Sequence, residues 1–169
     1  VSGVESWASL SVMKTEEDIV GDIITNSDGS TTEAGYIPRP TDQRVNFSMF
    51  FQDYIPSNPN YKVHLNLLYG TGLSFGPPAG EKYQDILRIP DYRRVDIGFS
   101  AVLKAEKNKS SFKWFNAFNS IWISAEVFNL LDINNTVSYL WVADITGRQY
   151  AVPNYLTARQ MNAKLIITF

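Results

Sequence analysis

Tyr61-Lys62-Val63-His64-Leu65-Asn66-Leu67-Leu68-Tyr69 alternates with a period of two. Successive side chains of an extended strand point to opposite faces. Tyr61, Val63, Leu65, Leu67 and Tyr69 therefore share one face, and Lys62, His64 and Asn66 share the other. The pattern continues in both directions along the chain. Upstream, Val45, Phe47, Met49 and Phe51 oppose Arg44, Asn46, Ser48 and Gln52, and more weakly Val4, Ala8, Leu10 and Val12 oppose Glu5, Ser9 and Ser11. Downstream, Val95, Ile97, Phe99, Ala101 and Leu103 oppose Arg94, Asp96, Gly98, Ser100 and Lys104. Ile121, Ile123, Ala125 and Val127 oppose Ser124 and Glu126. The last segment sets Met161, Ala163, Leu165, Ile167 and Phe169 against Gln160, Asn162, Lys164 and Thr168. Six strands are expected, near residues 4–14, 43–55, 61–74, 92–105, 120–131 and 159–169, with no internal helix. The fold class is all-β and antiparallel.

Composition narrows the function. Fifteen lysines and arginines against 17 aspartates and glutamates leave a net charge of −2, which does not suit a nucleic-acid surface. Cysteine is absent, so disulfides, thiolate metal sites and cysteine nucleophiles are all excluded. The single histidine, His64, offers little to a zinc site or a histidine-based triad, and no metal, cofactor or enzyme activity is expected. No run approaches the roughly 20 apolar residues of a membrane-spanning helix. The opening residues, Val1-Ser2-Gly3-Val4-Glu5, have neither the basic end nor the apolar core of a secretory signal. The expectation is that the chain begins inside a longer one.

Alternation alone does not say which face is wet, because a soluble barrel turns its apolar face inward and a membrane barrel turns it to lipid. Four features favour lipid. The expected strands run about 10–14 residues, enough for a tilted membrane strand of about 9–11. Long connections (residues 15–42, 75–91 and 132–158) alternate with shorter ones at 56–60 and 106–119. Aromatic residues crowd the expected strand ends, among them Tyr54, Tyr61, Tyr69, Tyr92, Trp114, Phe115, Trp122, Tyr139, Trp141 and Tyr155. Membrane barrels carry aromatic girdles at those levels, where an amphipathic ring suits the lipid–water boundary. Finally, the sequence ends on Phe169, the last member of an apolar face. Six strands fall short of the eight at which single-chain membrane barrels start, and an open sheet in lipid leaves its edges unsatisfied. More strands are expected from elsewhere.

Motifs that could carry chemistry are few. Gly70-Thr71-Gly72 lacks a following helix to hold a phosphate and reads as small residues relieving crowding. His64 shares a face with Lys62 and Asn66 and reads as a solvated residue of the barrel interior. Residues 15–42 hold Glu16, Glu17, Asp18, Asp22, Asp28, Glu33 and Asp42, seven acids against Arg39 alone. That composition suits a solvated loop, with a calcium site as the sharper reading. Arg44, Arg94, Asp96, Lys104 and Glu126 all fall on the polar face, either as a structural network or as a substrate guide. Lys104, Lys107, Lys109 and Lys113, interspersed with Phe112, Phe115 and Phe118, suit either an interfacial amphipathic turn or a plain periplasmic turn.

Several stretches resemble the closing portion of TonB-dependent outer-membrane receptors. They are Arg39-Pro40-Thr41-Asp42-Gln43-Arg44 leading into Val45–Asp53, Leu67-Leu68-Tyr69-Gly70-Thr71-Gly72-Leu73-Ser74-Phe75-Gly76-Pro77, and Tyr92-Arg93-Arg94-Val95-Asp96-Ile97-Gly98. Glu126-Val127-Phe128-Asn129-Leu130-Leu131 and the run from Pro153 to Phe169 complete the set. The resemblance spans residues 1–169. It implies the last six strands of a barrel of about 22 strands, closed by a plug, in the bacterial outer membrane. It also implies active uptake of an iron chelate, cobalamin, glycan or peptide. The implied partners are the outer-membrane lipid, the N-terminal barrel and plug of the same receptor, TonB acting through that plug, and the barrel insertion machinery. That machinery would read Met161, Ala163, Leu165, Ile167 and Phe169. A small outer-membrane binding barrel or adhesin is the alternative, with Ile19–Ile24 the place for unrecognised strands. A soluble ligand-binding barrel is the second.

Overall fold

A computed structural model describes residues 4–78, 86–105, 117–156 and 158–169. Six long strands form one antiparallel sheet: β1 (Glu5–Val12), β6 (Val45–Ile55), β7 (Asn58–Gly70), β10 (Tyr92–Lys104), β11 (Ser120–Phe128) and β14 (Gln160–Thr168), in the order β1-β6-β7-β10-β11-β14. Each expected strand is present with its ends shifted by a few residues; most are trimmed, but β7 begins at Asn58, three residues before the expected start. The described residues contain no α-helix. The sheet is open, with β1 and β14 as its two edges.

The three long connections are not plain loops. The first holds two ladders, β2 (Glu16–Glu17) with β5 (Ile37–Pro38) and β3 (Ile23–Thr25) with β4 (Thr31–Glu33). The second holds β8 (Ser74–Phe75) paired with β9 (Leu87–Arg88). The third rises as a hairpin of β12 (Thr136–Ala143) and β13 (Gln149–Tyr155). None of these ladders joins the six-stranded sheet. The hairpin lies against β8 through Phe75, whose ring stacks on Tyr139 at 4.5 Å and 9°. Tyr139, Trp141 and Tyr155 therefore belong to this hairpin and not to the ends of sheet strands. Trp114 and Phe115 lie outside the described residues, as do Lys107, Lys109, Phe112 and Lys113.

Register fixes the two faces, because directly paired residues of a sheet share a side. One row runs Phe51, Leu65, Ile97, Val127, Met161, the next Asp53, Val63, Phe99, Ala125, Ala163, and the one after it Tyr61, Ala101, Ile123, Leu165. These rows are apolar, apart from Ser6 opposite Phe51 and Asp53 opposite Val63. Most of this face is open: Ile97, Phe99, Ile123, Leu165 and Ile167 are all exposed, while Ala101 and Ile121 on the same side are buried. Among the described residues only three hydrophobic side chains are buried (Ile37, Ala101 and Ile121), against seven polar or charged ones. That inverts the usual partition of a water-soluble domain.

The tight link between β6 and β7 is shorter than expected. Ile55 pairs with Asn58, leaving Pro56 and Ser57 as the turn, and Ser57 has φ of 66°. Proline before a residue of positive φ is the type II arrangement, which normally favours glycine at the second position. Ser57→Gly should therefore stabilise the protein by about 1 kcal/mol by removing a left-handed Cβ, read as a raised midpoint in denaturant unfolding; a lowered midpoint would show the serine hydroxyl to be needed.

Candidate functional site

The polar face carries a row across all six strands. Glu5, Gln52, His64, Gly98, Glu126 and Asn162 stand in direct register. Gln52 Nε2 donates to Glu5 Oε2 at 3.2 Å, and Asn162 Nδ2 donates to Glu126 Oε2 at 3.1 Å. The middle of the row depends on Gly98. A Cβ there would collide with the His64 imidazole. Without one, the ring lies across β10 and brings Nε2 to 3.9 Å from Glu126 Oε1 on the strand beyond. His64 also stacks on Phe50 (6.3 Å, 30°), which stacks on Trp7 (6.2 Å, 26°).

One level toward the long connections, Asp96 is buried to 6% exposure. Its Oδ1 accepts from Arg94 Nε at 2.7 Å and from the Asn129 N–H at 2.8 Å, and its Oδ2 from Asn66 Nδ2 at 3.4 Å. Arg94 in turn lies over the Phe128 ring at 5.4 Å. A shallow pocket opens here, walled by Tyr92, Arg94 and Phe128 from the sheet and by Leu156 and Ala158 from the connection behind β13. Asn135 closes its floor: its amide both accepts from the Arg93 N–H and donates to the Arg93 carbonyl, each at 2.8 Å. That exchange copies a strand's own pairing and fastens the hairpin base to the edge of β10.

A third cluster ties the connections together. Asp42 is fully buried. Its Oδ1 accepts from the Thr15 N–H at 2.8 Å and its Oδ2 from Arg44 Nε at 2.6 Å and Arg88 Nη2 at 2.5 Å. Arg88 Nη1 also donates to the carbonyls of Asp42 and Gly72. Gly72 is required by a close approach, since a Cβ would overlap the Ile89 carbonyl oxygen. Burial alone would raise the Asp42 carboxyl, but the Thr15 N–H and the Arg88 and Arg44 guanidinium groups outweigh it and hold the group down at about 2. Close by, the Tyr69 hydroxyl donates to Asp91 Oδ2 at 2.8 Å and keeps that carboxyl below its usual range.

The five polar-face residues expected to form one network thus fall into separate contacts. Arg94 and Asp96 pair directly, and Glu126 stands nearby with His64 and Asn162. Arg44 belongs to the Asp42 cluster at the long-connection end. Lys104 lies at the opposite end beyond a register shift after Val102, opposite Ile121, and donates to the Phe118 carbonyl. Of the insertion-signal residues, Met161, Leu165 and Phe169 are well exposed. Trp7 and Phe50 are the functional candidates missed by sequence reading; Phe50 sits within Met49-Phe50-Phe51, where consecutive apolar residues hide the polar-face member. The acidic residues of 15–42 disperse: Glu16 pairs with Lys14, Glu17 with Arg39, and Asp28 caps its own turn through Ser30. Among the described residues no group of three or more carboxylates and histidines converges.

The chain matches no family model, no curated protein and no solved structure with which it was compared.

The Asp42 cluster generates a pH prediction. A carboxyl held near 2, against about 3.9 in an unfolded chain, contributes stability that is fully present above about pH 4 and lost as pH falls toward 2. Amide exchange at Thr15 and Ile89 should accelerate across that window, and Asp42→Asn should give the fast exchange already at neutral pH. Unchanged protection at pH 3 and in Asp42→Asn would remove Asp42 as the tie.

Proposed function

We propose that the chain is a wall segment of a larger outer-membrane β-barrel of the TonB-dependent receptor type, serving active uptake of a scarce nutrient. The observation that carries this reading is the largely exposed apolar face of a six-stranded antiparallel sheet whose other face is polar and cross-linked. A sheet of this kind needs an apolar medium on one side and water or a polar body on the other. The bilayer and a plugged lumen supply those two environments. The open edges of β1 and β14 would be satisfied by further strands, since unpaired backbone groups are costly in lipid. On this reading the long connections face outward and the Pro56–Ser57 turn faces the periplasm. The plug and TonB act from outside these residues, and Met161, Ala163, Leu165, Ile167 and Phe169 are presented to the insertion machinery.

The small binding barrel is supported less well. Ile23 and Ile24, the expected source of extra wall strands, pair within the separate β3–β4 ladder. A soluble barrel would need an apolar interior, and the described residues bury too few hydrophobic side chains to build one.

The test compares neighbours on opposite faces. In the membrane-inserted protein, Leu65→Arg should cost about 2–4 kcal/mol near the mid-plane of the bilayer and Asn66→Arg distinctly less, measured by denaturant unfolding from vesicles. Equal penalties at the two positions would count against lipid on the Leu65 face.

A further inference from the structure

We propose that the outer edge of β12 is a strand-addition site for an extended peptide, whatever medium meets the main sheet. The peptide that fits carries apolar side chains at alternate positions.

The two strands of the β12–β13 ladder have unlike outer edges. At the tip, the Asp144 N–H donates to the Arg148 carbonyl at 2.9 Å, and Gly147, with φ of 82°, donates to the Asp144 carbonyl at 3.0 Å. From that bonded pair the antiparallel pattern alternates along the ladder. Val142 with Tyr150 and Leu140 with Val152 exchange backbone bonds, whereas Ala143 with Gln149, Trp141 with Ala151 and Tyr139 with Pro153 turn their backbone groups outward. Pro153 thus stands where its missing N–H costs the ladder nothing, and it removes a donor from the outer edge of β13. β12 has no such block. Thr136–Ala143 contains neither proline nor a charged side chain, two of the devices that keep an edge strand from pairing. Among the described residues, the outward N–H and C=O groups of Tyr139, Trp141 and Ala143 have no hydrogen-bond partner.

This edge is also held ready. Phe75 stacks on Tyr139 and lies 6.2 Å from Trp141, so one face of β12 is braced. The Asp144 carboxylate fixes the tip by accepting from the Thr146 and Arg148 N–H groups at 2.8 and 3.0 Å. A strand already kept extended loses little conformational freedom on binding. The opposite face is bare: Leu140, Val142, Tyr150 and Val152 are all exposed. An added strand sets its own alternate side chains beside Leu140 and Val142 and widens that apolar face. A ladder of two strands is marginal in water, and a third strand with an apolar face makes it stable. Four side chains are far fewer than the roughly 20–30 residues a side of a stable protein–protein interface, so the surface does not suit a folded partner. A peptide that draws affinity from backbone bonds and selectivity from alternate side chains does fit.

The full chain, kept in detergent, is titrated into a fluorescein-labelled synthetic peptide of about eight residues, long enough to pair along one strand. Valine and threonine alternate in it between terminal lysines, and binding is followed by anisotropy. Saturable binding of one peptide per chain is expected. Ala143→Pro removes an outward donor and should weaken binding by about tenfold or more. Gln149→Pro makes the same change on the paired residue, at the edge that Pro153 already closes, and should leave affinity within about twofold. Slow amide exchange at Leu140 and Val142 should persist in both variants, since their N–H groups point into the ladder. A peptide N-methylated at two adjacent central residues, which blocks both of its own edges, should not bind the unaltered protein. Absence of saturable binding overturns the strand-addition site. It is overturned equally if Ala143→Pro leaves binding unchanged, which would place the peptide at β1 or β14, or if the two proline variants weaken binding alike. Binding retained by the N-methylated peptide overturns it as well, in favour of side-chain adsorption or uptake into the micelle.

Discussion

Direct register across the antiparallel ladder is the constraint on which the rest of the structure depends. Once Leu65 stands opposite Phe51 and Ile97, the alternating apolar residues of three strands are committed to one side, and the polar residues between them to the other. A slip of one residue would exchange the faces entirely. Phe50 is an apolar exception in mid-strand on the polar face, and the polar exceptions fall near the margins. Asp53 lies close to the Pro56–Ser57 turn, and Arg93 opposite Tyr69 lies at the start of β10. The shift after Val102, where Lys104 aligns with Ile121, comes where the sheet is already ending.

The polar face solves a different problem, that of holding charged groups on a sheet with no second layer among the described residues. Asp96 has three donors about it, and Glu126 leans on Asn162 from one side and His64 from the other. One of these contacts joins strands that are not adjacent: His64 reaches over β10 toward Glu126 on β11 only because residue 98 has no side chain. The result is lateral stiffness supplied by side chains where a layered domain would supply it by packing.

Sequence periodicity revealed the six strands of the main sheet because each is long and has faces of different character. It failed for the connections for identifiable reasons. β2, β5, β8 and β9 are two residues each, too short to show a period. β12 puts Val137, Tyr139 and Trp141 on one side and Leu140 and Val142 on the other, so both faces are apolar and no contrast appears. β13 contains Pro153, which argues against a strand until one sees that it lies in a ladder of only two strands. The site was legible only as a set of polar residues on one face. Which of them meet is decided by register across long loops: Asp42 and Arg88 are 46 positions apart, and Arg93 and Asn135 are 42. No local pattern signals such pairs.

The Asp42 cluster also bears on how such a chain can diversify. Its carboxylate comes from the first long connection, while Arg88 and the carbonyl of Gly72 come from the second. Exchanging the first connection alone for one without an acid at that position would strand two guanidinium groups. Exchanging the second alone would deprive a fully enclosed carboxylate of one of its cations, a change that is strongly destabilising in buried pairs. The two connections are thus heritable only as a unit, and a chimera that respects strand boundaries but divides them would be mismatched at this buried charge cluster.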